Sequence, residues 1–166
     1  MSINMRKKKS RLLIIDKDFV PAPMDDGDEL YPNGIFMFNI TKMIEYLKEH
    51  HDEIAPEIIS VKASRNVFLK PNEDHINTTD ITIPIILAEI SPDRYNVIDG
   101  NHRLEKAYRS NIESILAYKL SPGQHMPFLT SVKAYHAYID YWNSKIKDLM
   151  RYTKLKEKRE HELLQQ

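Results

Sequence analysis

Tyr95-Asn96-Val97-Ile98-Asp99-Gly100-Asn101-His102-Arg103-Leu104-Glu105-Lys106-Ala107-Tyr108 is the stretch that decides the fold. Tyr95, Val97 and Ile98 suit a strand. Gly100 permits positive φ or a close approach of backbone to a ligand. Asn101 tolerates turn geometry and can cap a helix starting there. Leu104, Ala107 and Tyr108 then fall on one helix face, at i, i+3 and i+4, and Asn111 suits a left-handed stop. Residues 115–120 return as a strand that Pro122-Gly123 ends. The unit over 95–119 reads strand–turn–helix–strand.

The turn of that unit is built for an anion. A helix N-terminus leaves about four backbone N–H groups unpaired and carries roughly half a positive charge, which makes an anion site without any special side chain. His102 and Arg103 add donors on the first turn, and the planar fork of arginine suits phosphate oxygens. Cations there oppose the helix dipole unless an anion or a carboxylate answers them. Asp99, or an acidic residue of the 25–29 loop, could supply that answer from within the chain, and His102 could be a packing residue. No Walker-type glycine loop is present.

Toward the N-terminus, residues 81–90 read as a strand buried on both faces, followed by a turn at Ser91-Pro92-Asp93. Residues 57–80 are the least legible: 58–61 suit a strand, Arg65 and Lys70 flank the apolar Val67-Phe68-Leu69, and Glu73-Asp74-His75 reads as polar loop. Residues 35–38 are β-prone. Asn39 or Thr41 can cap a helix bearing Ile40, Met43, Ile44 and Leu47, ending near His50 or running on to Pro56. His50 and His51 would point about 100° apart on it, too far to share a metal. Residues 19–33 read as a proline-bearing loop whose Asp25, Asp26, Asp28 and Glu29 lack the spacing of a calcium loop. Residues 12–15 could form a short strand. Residues 1–11, with Arg6, Lys7, Lys8, Lys9 and Arg11, form a basic arm, either a solvated terminus or a nucleic-acid tether.

Toward the C-terminus, Ser131 caps the longest helix. Val132, Tyr135, Ile139, Trp142, Ile146 and Leu149 recur at alternating steps of three and four, a narrow seam. It can pack on its own domain or join two copies in a homodimer. After Arg151 the composition is that of a charged, fraying end.

These readings give an α+β domain, a small mixed sheet with packed helices, over 12–125. A basic arm (1–11) precedes it and a helix with a charged tail (131–166) follows. The chain has 166 residues, enough for one real core but short for two. Lys and Arg number 24, as do Asp and Glu, so no global charge drives it toward nucleic acid or membrane. It has no cysteine, which excludes disulfides and thiolate chemistry and fits a reducing cytoplasm. Its first apolar run stops at Asp16, too short for a secretory signal. No stretch approaches the roughly 20 apolar residues of a membrane span, so a soluble, cytoplasmic protein is expected.

At residues 81–120 the chain resembles the ParB/sulfiredoxin-like superfamily. An apolar strand ends in a turn, a second strand follows, the helix opens on a Gly-x-His/Arg-Arg pattern, and a strand opens at Ile115. Asp99-Gly100-Asn101-His102-Arg103 is most similar to members bearing Asp-Gly-His-His-Arg, the free-serine-kinase group among them, and residues 35–47 resemble the opening strand and helix. The resemblance implies that Gly100, Asn101, His102 and Arg103 hold nucleotide phosphates (ATP, ADP or CTP with Mg²⁺). It also implies that Asp99 binds metal or helps deprotonate a substrate, with His102 beside it as the second catalytic residue. Sulfiredoxin's cysteine is replaced by Asn101, so sulfinic-acid reduction is excluded. The helix-turn-helix of partition proteins has no counterpart. A further catalytic glutamate has two candidates, Glu29 and Glu73.

The expectation is a nucleotide-binding protein acting in phosphoryl transfer or nucleotide hydrolysis. The alternatives are a DNA- or partner-binding module, using the basic arm, Lys62, Arg65 and the terminal helix, then a ParB-like nuclease, and a regulatory protein that has lost its chemistry.

Overall fold

In the computed structural model, which describes residues 11–65 and 70–165, the quoted stretch forms β5 (Arg94–Asp99) and α4 (Asn101–Arg109). The basic residues 6–9 and Val67-Phe68-Leu69 lie outside the described residues. β5 pairs antiparallel with β4 (Ile85–Ser91) around a tight turn, where Asp93 takes positive φ. β6 (Ser114–Leu120) runs parallel to β4, and β3 (Glu57–Ser60) closes the far edge antiparallel, giving the order β3-β6-β4-β5.

The pleat sends alternate residues of β4 to opposite sides. Ile86, Ala88 and Ile90 join Ile98 and Leu120 on one face, while Ile85 and Leu87 join Val97, Ile115 and Ala117 on the other. Both faces are covered, which is why β4 reads as a near-continuous apolar run, interrupted by Glu89. The first face carries the hairpin of β1 (Leu30–Asn33) and β2 (Phe36–Asn39), then α1 (Ile40–Glu49), α5 (Pro122–His125) and the 3₁₀ turn Met126–Phe128. It also receives the first half of α6 (Val132–Leu164). The second face carries α2 (Val61–Ser64), α3 (Glu73–Thr78) and α4.

The α+β class is as the sequence reads, and so are Asn39 as N-cap of α1, Asn111 in the left-handed region and Ser131 as N-cap of α6. Several boundaries are corrected. The strand expected over 81–90 starts only at Ile85, because Asp80 captures the Thr82 N–H (2.9 Å) and Pro84 has no N–H to give. Residues 12–15 are not a strand: Leu13 bonds through its N–H and C=O to the Asn143 side chain on α6, at 2.8 and 2.9 Å. The loop expected over 19–33 ends in β1, which Gly34, at φ +66°, turns into β2. Glu73-Asp74-His75 opens α3 instead of lying in loop. Pro122 starts a helical turn, with the Gln124 side chain accepting from Ser121 N–H at 2.9 Å. The charged end expected to fray after Arg151 is helical as well, α6 running to Leu164.

The seam of α6 faces its own domain. Tyr135, Ile139, Trp142 and Ile146 are buried in the first-face core, joined by Tyr138, while Val132 and Leu149 stay exposed. Among the described residues no helix is long and apolar enough to cross a membrane.

Candidate functional site

The turn sits where β5 ends and α4 begins, at the β4 end that starts with Ile85. Gly100 is the N-cap, at φ +99°, and its side-chain-free Cα is required twice over. An added Cβ would collide with Ile85 and stand 2.8 Å from Arg103 Nη2. The left-handed backbone is itself strained for any other L residue. The first amide of α4 to find a helical partner is Leu104, bonded to Gly100 O at 3.0 Å. Among the described residues the N–H groups of Asn101, His102 and Arg103 make no hydrogen bond, and no side chain caps the helix. All three residues are half-buried. The open donors of a helix start are thus left on a partly sheltered surface.

Asp99 and Arg103 answer each other across one helical turn. Arg103 Nη2 donates to Asp99 Oδ2 at 2.6 Å and makes a long contact with the Pro84 carbonyl at 3.5 Å. The side chains are only 15% and 13% exposed for Arg103 and Asp99, so the pair is desolvated and the carboxylate sets where the guanidinium points. Among the described residues Arg103 Nε is buried with no partner. A buried orphan N–H costs about 1–3 kcal/mol unless something polar meets it.

His102 accepts the Asn72 N–H on Nε2 at 3.3 Å, so the hydrogen of the neutral ring is assigned to Nδ1. Its ring stands edge-to-face with His75 of α3, centroids 5.4 Å apart. Asn101 lies at the helix start, but the cap position belongs to Gly100.

Behind the turn, α4 is fixed by charge. Glu105 accepts from Arg65 Nε and Nη2 at 2.8 and 3.2 Å and from Arg109 at 3.0 Å. Arg109 also forms a fork on Glu73, at 2.7 and 2.9 Å. These bonds hold the Glu105 carboxyl below its ordinary range, Arg65 contributing most, and push the Arg109 guanidinium up through Glu73. Lys106 Nζ caps the end of α3 through Thr79 O at 2.7 Å. Arg65, expected as a nucleic-acid contact, is therefore committed to Glu105 and to the Tyr108 ring, 3.9 Å away. Glu73, one candidate for a catalytic glutamate, is engaged by Arg109; Glu29, the other, is exposed just before β1. The acidic 25–29 loop folds onto α1, with Asn39 donating to Asp28 at 2.6 Å and Lys42 to Asp25 at 2.6 Å.

Among the described residues no group of three or more His, Asp or Glu is placed to hold a metal. A nucleotide-borne Mg²⁺ asks for less, one or two carboxylates beside its phosphates, and Asp99 is the carboxylate at the turn. Two features escape sequence reasoning. One is a hollow of about 420 Å³ on the α4 face of the sheet, lined by Glu57, Ile59, Ser60, Leu87, Tyr95 and Lys119. Lys119 Nζ stands 4.4 Å from the Tyr95 ring and 3.3 Å from Glu57. The other is His125, wholly buried behind β4. Nothing in the local pattern marks either, since both arise from which strands become neighbours. Comparison of the chain with family models, curated proteins and solved structures gave no match.

Proposed function

We propose that the chain binds the phosphates of a nucleotide at the N-terminus of α4 and acts in phosphoryl transfer or nucleotide hydrolysis. One observation carries this reading: among the described residues, the N–H groups of residues 101–103 make no hydrogen bond and lie beside an arginine whose Nε is buried without a partner. A phosphate has enough oxygens to satisfy both sets of donors at once. The order of strand, glycine turn, helix and strand over 94–120 is the arrangement that the ParB/sulfiredoxin-like resemblance implies. In this reading Gly100 keeps the backbone clear for the ligand. Asn101, His102 and Arg103 present the amides, and His102 adds its Nδ1–H. Asp99 aims Arg103 and is the carboxylate available to a Mg²⁺ on the phosphates, where catalysis is positioning and charge neutralisation.

The shortness of the Asp99–Arg103 contact favours a second reading. There the turn binds a nucleotide without chemistry, as a regulatory or partner-binding module, because the carboxylate is committed to Arg103.

Calorimetric titration with ATP, ADP and CTP in Mg²⁺ tests the reading, and absence of binding to all three overturns it. Arg103→Ala should weaken the bound nucleotide by about 1.5–3 kcal/mol. Turnover of ATP to ADP, with or without an acceptor, separates the first reading from the second.

A further inference from the structure

At the opposite end of the molecule α6 leaves its domain. Ile146 is its last buried residue, and residues 147–164, about 27 Å of helix, are exposed. Asp148, Leu149 and Tyr152 still border a hollow against Ser91, Pro92 and Arg94 of the β4–β5 turn, on the side of the axis away from Lys147 and Arg151. Along this projection Lys147, Arg151, Lys154 and Lys158 succeed one another at steps of 4, 3 and 4. That spacing places all four on one stripe, about 16 Å long. Among the described residues Lys147, Arg151 and Lys154 have no acidic partner within ion-pair distance, while Lys158 has only the loose intrahelical contact to Glu162 at 3.8 Å. Four cations in a row repel one another, so a helix that keeps them aligned gains most when a linear polyanion lies along it.

The start of the described chain comes to the same helix. Trp142 Nε1 donates to Arg11 O at 3.0 Å, and Leu13 is tied to Asn143. Arg11 is exposed there, and residues 6–9 of the sequence read Arg6-Lys7-Lys8-Lys9.

We propose that the projecting half of α6 is a docking surface for the phosphate backbone of a nucleic acid, contacted by Lys147, Arg151, Lys154 and Lys158. An anionic membrane fits less well. The apolar residues of the projection, Leu149, Met150, Tyr152, Leu155, Leu163 and Leu164, are spread broadly around the side of the axis roughly opposite the basic stripe. Lys156 and Arg159 interrupt them. A bilayer would have to meet both stripes together, whereas a nucleic-acid strand needs only the cations. Binding of this kind is sequence-independent and salt-sensitive, and it does not depend on the nucleotide reading of the α4 turn.

The test is fluorescence anisotropy of the full chain with a labelled duplex of about 24 base pairs and arbitrary sequence, at a series of salt concentrations. Two double variants lower the net charge equally: Lys147→Gln with Arg151→Gln on the stripe, and Lys156→Gln with Arg159→Gln off it. All four residues are exposed, and helix content by circular dichroism checks that both variants keep the fold. The stripe pair should lose at least fivefold in affinity at about 50 mM salt and reduce the log–log salt slope by about 2, from roughly 0.9 per phosphate contact. The off-stripe pair should lose less than twofold. Equal losses in the two pairs would overturn the proposal, because net charge alone would then explain binding. No duplex binding at about 50 mM salt would overturn it as well, and so would capture by phosphatidylserine vesicles without capture of the duplex.

Discussion

The two faces of the four-stranded sheet are packed by different means. On the face under α6 the core is large and aromatic: Phe36, Phe38, Tyr135, Tyr138 and Trp142 close over Ile86, Ala88 and Ile98. Tyr138 stands edge-on to Phe36 and to His125, at centroid distances of 5.5 and 5.0 Å. On the α4 face the core is smaller and mostly aliphatic: Val61, Ile85, Leu87, Val97, Leu104, Ala107, Ile115 and Ala117. There α2, α3 and α4 are joined by the Arg65–Glu105–Arg109–Glu73 chain of ion pairs instead of by further apolar contact. Half-exposed ion pairs stabilise weakly and are screened by salt. The difference marks a division of labour. The α6 face holds the deeper core, and the α4 face, less deeply packed, presents the turn.

That contrast can be broken by mutation, beginning on the α6 face. Trp142→Ala removes a nearly buried ring and its bond to Arg11 O, and should cost about 3–5 kcal/mol in denaturant unfolding.

Acid should act on the same face through His125. This imidazole is fully buried behind β4, its Nε2 2.8 Å from Glu89 O and its Nδ1 unpaired, and burial pushes it down to about 4. The unfolded chain, with an ordinary histidine near 6.5, binds the proton more readily between those values. Stability is therefore full above about pH 6.5 and falls as pH drops toward about 4, by about 3 kcal/mol in all. His125→Leu should flatten that slope in unfolding curves taken at pH 5 and 7, because Tyr138 still donates to Glu89 O at 2.6 Å. An unchanged slope would remove His125 from the account.

The α4 face should yield a smaller loss of stability but a larger loss of binding. Gly100→Ala puts a methyl group into Ile85 and forces a left-handed backbone on alanine, at about 1–3 kcal/mol. The shift of the helix start should abolish nucleotide affinity while the fold persists, read by thermal unfolding and calorimetry together.

Legibility in the sequence divides along the same contrast. The turn, α4, β6 and the Ser131 cap are local: glycine, a capping residue and a 3.6-residue period each act within a few positions, so their signals survive without tertiary context. The chain's own alternative for Arg103, a pair with Asp99, was legible too, and the structure contains it. The region 57–80 was not legible, because α2 and α3 are only four and six residues long and each buries a single residue, Val61 and Ile76. Their order comes from Arg65, Lys106 and Arg109 reaching across from or to α4, which no periodicity encodes. Two misses did carry a readable signal: Asn33-Gly34 between two apolar stretches marks the β1–β2 hairpin, and Ser121-Pro122 with Gln124 close behind marks a helix start. The acidic 25–29 loop has no such code, and only the fold brings Asn39 and Lys42 to it.

The central claim is that the α4 start binds phosphate, and amide chemical shifts test it most directly. In a titration of the ¹⁵N-labelled chain with Mg²⁺–ADP, the account predicts saturable shifts largest at the backbone amides of Asn101, His102 and Arg103, with the Arg103 Nε–H signal moving alongside them. Saturable shifts centred instead on the hollow around Tyr95 and Lys119, with 101–103 unmoved, would contradict it.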